Sequence, residues 1–220
     1  MKREIIKTGD GSATILLPEW NESYHSRHGA ITEAYHVFIK NGLSMFDGRP
    51  VSVMEIGLGT GLNAFITFLE SEKTGQKINY TGIEGYPVSV EEAAHLNYPE
   101  LLNAENYSHV FKTLHNCAWG NQIELSEKFT FSKLNIFFAD IKFESEYDLI
   151  FFDAFGFNVQ PELWSGEIFT IMYNALRPKG VLVTYAARSI IKRNMQTAGF
   201  TVEKLAGPPG KREMMRAIKS

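Results

Sequence analysis

The chain predicts a doubly wound α/β fold: a mostly parallel sheet covered by helices on both faces and closed by a C-terminal antiparallel hairpin. Three observations carry this reading. Apolar runs of strand length alternate with segments of helical period through most of the 220 residues. A glycine loop, "GLGTG" at 57–61, directly follows the first central run. The last two runs, "TVEKLA" and "EMMRAIK", are separated only by "GPPGKR", too short for a parallel crossover, so they pair antiparallel.

The elements follow in order. "REIIK" and "SATILL" flank Asp10-Gly11, a dipeptide that favours a tight hairpin turn. "AITEAYHVFIKNGL" places Ile31, Ala34, Tyr35, Phe38 and Ile39 on one helical face, with Asn41-Gly42 as the stop. "VSVMEI" is the first central strand and "LNAFITFLESEK" the helix after the glycines. "INYTGIE" is the second strand, and Pro87 with "VSVEEAAHL" opens the next helix. A helix is expected near 103–117, then a short strand or hairpin before 132. "LNIFFAD" reads as the third strand. "YDLIFFDAF" reads as the fourth, apolar almost throughout, as a strand buried on both faces is. "PELWSGEIFTIMYNAL" is a helix with Pro161 in its first turn, "GVLVTY" the fifth strand, and "SIIKRNMQTAGF" a helix closed by Gly199. Five alternating units ending in an antiparallel hairpin are the Rossmann-like arrangement of class I methyltransferases. No repeat or linker divides the chain, so residues 1–220 form one domain, with 1–45 as a hairpin-and-helix extension expected to cover the ligand site.

Composition narrows the class. Hydrophobic content of 44% and charged content of 21% are ordinary for a globular protein. No apolar run approaches the roughly 20 residues of a membrane span, and the N-terminus lacks a secretory apolar stretch. A single cysteine, Cys117, excludes an internal disulfide and a cysteine metal cluster. No metal is expected, and a reducing cytoplasm is. Residues 177–220 carry ten Lys/Arg against two Glu, a net +8; the formal net charge is −3, so the remainder carries −11. A basic C-terminal fifth on an acidic body is a candidate anion-binding face.

The glycine loop fits no phosphate motif. A dinucleotide fingerprint needs glycine where Leu62 stands, and a Walker loop needs lysine after Gly61. What remains is E-x-G-x-G-x-G: Glu55, Gly57, Gly59 and Gly61. Acids also close the other predicted strands. Glu84, twenty-three residues after Gly61, is placed to accept from both hydroxyls of a ribose. Asp140 is placed for an adenine amino group, and Asp153 ends the fourth strand. Ligands of open α/β sheets bind at these carboxyl ends. A pyrophosphate would be repelled there, whereas S-adenosylmethionine, with a sulfonium, an ammonium and one carboxylate, suits an acidic rim. Asn63, just past the loop, joins the same donor-binding set.

The blocks "YHSRHGAITEAYHVFIKNGL", "MEIGLGTGLNAFIT", "GIEGYP", "FFDAF…PELWSGEIF" and "AGFTVEKLAGPPGKREM" resemble the methyltransferase portion of the tRNA 5-methylaminomethyl-2-thiouridine biosynthesis (MnmC) family. The resemblance runs from about Tyr24 to Met214. It implies S-adenosylmethionine as donor and methylation of the aminomethyl group on a tRNA wobble uridine, in the anticodon region. It implies a stand-alone form without the family's FAD-dependent oxidase domain, and an upstream enzyme that supplies the aminomethyl group. The segment after "DAF" departs from the family's "APxxNPxLW": Gly156 and Phe157 replace Ala-Pro, and Gln160 replaces Asn.

An amine acceptor must lose a proton before it attacks, and Asp153 is the candidate base. Tyr24 and His25 are candidates for the wall beside the amine. The basic residues Arg188, Lys192, Arg193, Lys211 and Arg212 are candidates for holding RNA phosphates, and Trp164 for stacking on an unpaired base. Two other readings stand at this stage. A spermidine synthase-like aminopropyl transferase shares the fold, the acidic site and an amine nucleophile. A non-enzymatic RNA-binding module would explain the basic segment but not the four acids.

Overall fold

The computed structural model describes residues 2–26 and 28–220; Arg27, within the block that starts at Tyr24, lies outside them. The N-terminal segment forms a three-stranded antiparallel sheet of β1 (Glu4–Lys7), β2 (Ala13–Leu17) and β3 (Glu22–Ser23). Asp10, at the β1–β2 turn, accepts from the backbone N–H groups of Ile31 and Thr32 at 3.1 and 3.3 Å. It thereby satisfies two orphan donors at the start of α1 (Ala30–Ala34) and fastens that helix to the hairpin. The helix continues as a π-helical stretch over Tyr35–Lys40.

The central sheet has eight strands. The first half of the chain supplies β4 (Val51–Ile56), α2 (Leu62–Thr74) and β5 (Ile78–Ile83). Then come three short helices, α3 (Val90–Ala93), α4 (Tyr98–Leu101) and α5 (Ser108–Asn116), and the hairpin of β6 (Gln122–Ser126) and β7 (Phe129–Leu134). The second half supplies β8 (Tyr147–Phe152), α6 (Gly166–Ala175), β9 (Leu176–Thr184), α7 (Ser189–Thr197), β10 (Phe200–Ala206) and β11 (Glu213–Lys219). The order across the sheet is β10-β11-β9-β8-β4-β5-β7-β6. The pairs β4–β5, β4–β8, β5–β7 and β8–β9 are parallel; β11 pairs antiparallel with β9 and β10, and β6 with β7.

Period-two alternation divides the core between the two faces. Val51 and Val53 of β4, with Leu149 and Phe151 of β8, pack against α2 and α5. Met54, Ile56, Ile150 and Phe152 point the other way, onto α6 and α7. All six residues of β8 are buried, as its continuous apolar sequence requires.

Three expectations need correction. The third parallel strand is Phe129–Leu134, not "LNIFFAD": "FTFSKL" alternates buried and half-buried residues, while 135–140 leave the sheet and end in a 3-10 turn at Phe138–Asp140. The predicted helix from Pro161 is broken at Ser165, whose side chain caps α6; Pro161–Trp164 form a separate 3-10 turn. The helix expected near 103–117 is shorter, Ser108–Asn116 behind a 3-10 turn at Glu105–Tyr107.

Candidate active site

After β5 and β7 the chain returns to the other side of β4, so β4 and β8 flank the topological switch point. A cavity of about 1060 Å³ opens there, at the carboxyl ends of the parallel strands. Its roof is the N-terminal segment. Arg3 of that segment donates to the carbonyls of Pro87 and Tyr86 at 3.0 and 2.8 Å and to Glu92 at 2.9 Å, tying it to the loop after β5.

The glycine loop forms the floor. Gly57, Gly59 and Gly61 all have positive φ, at +87°, +51° and +73°. At Gly57 a side chain would also collide with the Asp153 carbonyl, since its Cβ would lie 2.7 Å from that oxygen. Gly59 lets the Tyr24 ring lie against the loop. The Glu84 carboxylate accepts from the Gly59 N–H at 2.9 Å and the Tyr86 N–H at 2.8 Å, so one acid fixes both lips of the cavity. Each of its oxygens keeps a further lone pair.

Around the switch point the acids have distinct environments. Glu55 is buried, accepting from the Tyr80 hydroxyl at 2.7 Å and from Asn63 at 2.8 Å. Burial pushes its carboxyl well above the usual range. Asn63 spends its second amide hydrogen on Asp153, at 2.9 Å. Burial, with Glu33 nearby, pushes the Asp153 carboxyl up to about 7, against the opposing effects of Asn63 and Lys211.

Several expected residues lie elsewhere in the design. Asp140 is exposed in the turn after β7 and does not line the cavity; Phe138 and Ala139 before it do. It misses because the strand ends at Leu134, six residues earlier than "LNIFFAD" implies. Trp164 is fully buried, donates its indole N–H to the Phe155 carbonyl at 2.8 Å, and packs on Phe152 and Tyr185, so no face is open to a base. His25 is an anchor for the glycine loop. Its Nδ1 is 3.0 Å from the Thr14 hydroxyl and its Nε2 3.4 Å from that of Thr60, which also receives the Tyr98 hydroxyl at 3.0 Å. Burial lowers His25 to about 4, so it stays neutral. Tyr24 packs edge-on against Phe155, and burial pushes its hydroxyl up to about 12.

Lys211 does not face outward for phosphates. It lines the cavity, 2.7 Å from Glu33 and 3.9 Å from the centroid of the Tyr185 ring. Arg188, Arg193 and Arg212 are exposed and Lys192 is half-buried; none forms an ion pair among the described residues. Glu33, Tyr185, Phe155 and Trp20 all line the cavity and were not singled out in the sequence. Trp20 meets Phe155 edge-on at 5.9 Å.

Residues 103–220 match the family described as S-adenosyl-L-methionine-dependent methyltransferase. The chain belongs to this family. As a member, the methyltransferase takes S-adenosyl-L-methionine as its donor. It is 27% identical over 216 residues to the tRNA 5-methylaminomethyl-2-thiouridine biosynthesis bifunctional protein MnmC of Azoarcus sp. (strain BH72). That match covers 90% of this chain and 33% of the relative, so the chain spans about a third of the curated protein. Among solved structures it resembles MNMC2 from Aquifex aeolicus, with TM-score 0.80, 22% identity and coverage of 98% of this chain and 69% of that one. It also resembles spermidine synthase from Thermotoga maritima, with TM-score 0.56, 15% identity and coverage of 99% and 69%. Both support the class I fold. Among the described residues, no helix is long and apolar enough to cross a membrane, and no group of three or more His, Cys, Asp or Glu could hold a metal.

The cavity's own chemistry fits the donor. A loop of positive-φ glycines admits close approach, Glu84 offers free lone pairs beside it, and Tyr86 and Phe137 form an aromatic rim with ring centroids 5.6 Å apart.

Proposed function

We propose that this methyltransferase methylates the 5-aminomethyl group of a wobble uridine in tRNA, giving 5-methylaminomethyl(-2-thio)uridine. The observation that carries this reading is the Asp153 carboxyl at the end of β8, lining the cavity and held by Asn63 at 2.9 Å, where burial pushes it up to about 7. Of the three candidate proton acceptors it is the one that titrates near neutrality, since His25 is held near 4 and Tyr24 near 12.

Glu84 would hold the ribose hydroxyls of S-adenosylmethionine, the backbone at Gly57–Gly61 its methionine portion, and the Tyr86–Phe137 rim its adenine. When bound, it supplies an electrophilic methyl group. An acceptor ammonium at Asp153 transfers one proton to the carboxylate and keeps the nitrogen lone pair for attack. Tyr24 and Phe155, edge-on at 5.0 Å, wall this part of the cavity. Positioning supplies most of the remaining acceleration.

RNA would approach from the basic side. Arg188 opens α7, and Lys192 and Arg193 follow on its next turn. Arg212 lies in the β10–β11 loop, where Glu213 feels both Arg212 and Lys192. The likeness to MnmC over 90% of this chain favours a tRNA acceptor.

The test is transfer of labelled methyl from S-adenosylmethionine to tRNA lacking this methyl group, against transfer to free diamines. Methylation of tRNA supports the reading. Reaction only with a diamine, together with preference for decarboxylated donor in calorimetric titration, would replace it with aminopropyl transfer.

A further inference from the structure

We propose that Glu33 and Lys211 are positioning residues for proton removal by Asp153: an ion pair bridging the cavity from α1 to the β10–β11 loop, whose two charges set the basicity of that carboxylate. The proton-transfer part rests on the N-methylation reading above; the electrostatic part does not.

The pair is built into the site. Lys211 Nζ lies 2.7 Å from Glu33 Oε2, and the side chains are 31% and 12% exposed. The ammonium also sits 3.9 Å from the centre of the Tyr185 ring, whose hydroxyl donates to the Ala154 carbonyl at 2.8 Å and so keeps the ring in place. Asp10 caps the helix that carries Glu33, and the Lys211 N–H donates to the Pro208 carbonyl at 2.9 Å.

The groups facing Asp153 come from six elements. Asn63 of α2 hydrogen-bonds it; Glu55 of β4 and Tyr80 of β5 lie behind Asn63; Tyr185 follows β9; Glu33 and Lys211 complete the set. Burial pushes the Glu55 carboxyl and the Tyr80 and Tyr185 hydroxyls well above their usual ranges. Glu22 and Glu84 act on Tyr185 and Glu55 rather than on Asp153. Glu33 and Lys211 line the same cavity as Asp153, where Glu33 disfavours its anion and Lys211 favours it.

The chemistry explains why such tuning is useful. The acceptor's N–H bond breaks, an O–H bond forms on Asp153, the nitrogen retains the electron pair, and the proton later leaves to water. A carboxylate of ordinary acidity is too weak a base for an ammonium. One shifted much higher would already be protonated at neutral pH.

The protein has five aspartates, so selective carboxyl labelling with carbon-13 gives a countable set of signals, and Asp153→Asn assigns the one of interest. Titration of the unliganded protein needs no acceptor. Glu33→Gln should lower the Asp153 midpoint by about one pH unit, Lys211→Gln should raise it by about as much, and the double variant should lie close to wild type. The acid limb of kcat on an amine acceptor should move in the same directions. The conservative pair Glu33→Asp and Lys211→Arg should restore the wild-type midpoint and shows that the fold tolerates change there. An Asp153 midpoint unmoved in both charge-removing variants would overturn the proposal. Midpoints that move in a protein unable to methylate any amine would keep the ion pair's role and overturn the N-methylation reading instead.

Discussion

Asn63 donates its side-chain amide to Asp153 over 2.9 Å, across the junction where β4 and β8 part. Because the same nitrogen also serves Glu55 at 2.8 Å, one residue keeps two carboxyls apart and bonded. Asn63→Leu should leave both without this donor. The expected loss of folding stability is about 1–3 kcal/mol, and the acid limb of the rate profile should move to higher pH. Chemical denaturation and a pH–rate series check the two effects.

Asp153→Asn should leave donor affinity within a few-fold and slow methyl transfer by roughly 10²–10⁴. The wild-type rate should rise with pH through about 7 and then level, because the carboxylate must be ionised to accept a proton. Stability has the opposite sign. The folded-state value lies above the model-compound 3.8, so the folded protein holds a proton that the unfolded chain releases. The stability contribution is full below about pH 4 and is lost as pH rises through about 7. Relative to wild type, Asp153→Asn should gain stability over that interval, which melting at a series of pH values measures.

Glu84→Ala should weaken S-adenosylmethionine binding by about 2–4 kcal/mol. It removes the proposed acceptor for the ribose hydroxyls and also the carboxylate that fixes the Gly59 and Tyr86 N–H groups. Calorimetric titration decides the matter. Unchanged donor affinity would remove Glu84 from the donor site.

Replacing Arg188, Lys192, Arg193 and Arg212 with Glu should abolish tRNA binding while donor affinity stays near wild type. Wild-type affinity should fall with salt at a log–log slope of roughly 0.7–0.9 per neutralised phosphate, and the quadruple variant should flatten it. Lys211 is kept out of this set because its charge is held by Glu33. Filter binding over a salt series gives the slope.

Much of the fold was legible because the signals were local. The continuous apolar run of β8, the Asp10-Gly11 turn and the short "GPPGKR" connection each fix a geometry within a few residues. Glu84 and Asp153 could be placed for the same reason: each directly follows a long apolar strand. Asp140 failed because "NIFF" is as apolar as a strand yet turns out of the sheet, and hydrophobicity does not mark that exit. Trp164 failed because the chain around a buried indole looks no different from that around an exposed one. Its hydrogen bond to Phe155 and its packing on Tyr185 are tertiary facts. The Glu33–Lys211 pair was invisible for a related reason, as its partners come from opposite ends of the chain and meet only when α1 docks beside the β10–β11 loop.

The most direct measurement is the identity of the modified nucleoside. tRNA carrying 5-aminomethyluridine at the wobble position is incubated with the purified protein and methyl-labelled S-adenosylmethionine, digested, and resolved by mass spectrometry. The expected product is 5-methylaminomethyluridine bearing one labelled methyl, formed far more slowly with Asp153→Asn and more abundant above pH 7 than below it. Unmodified 5-aminomethyluridine after full incubation, with donor binding intact, would contradict the assignment of this cavity to wobble-uridine methylation.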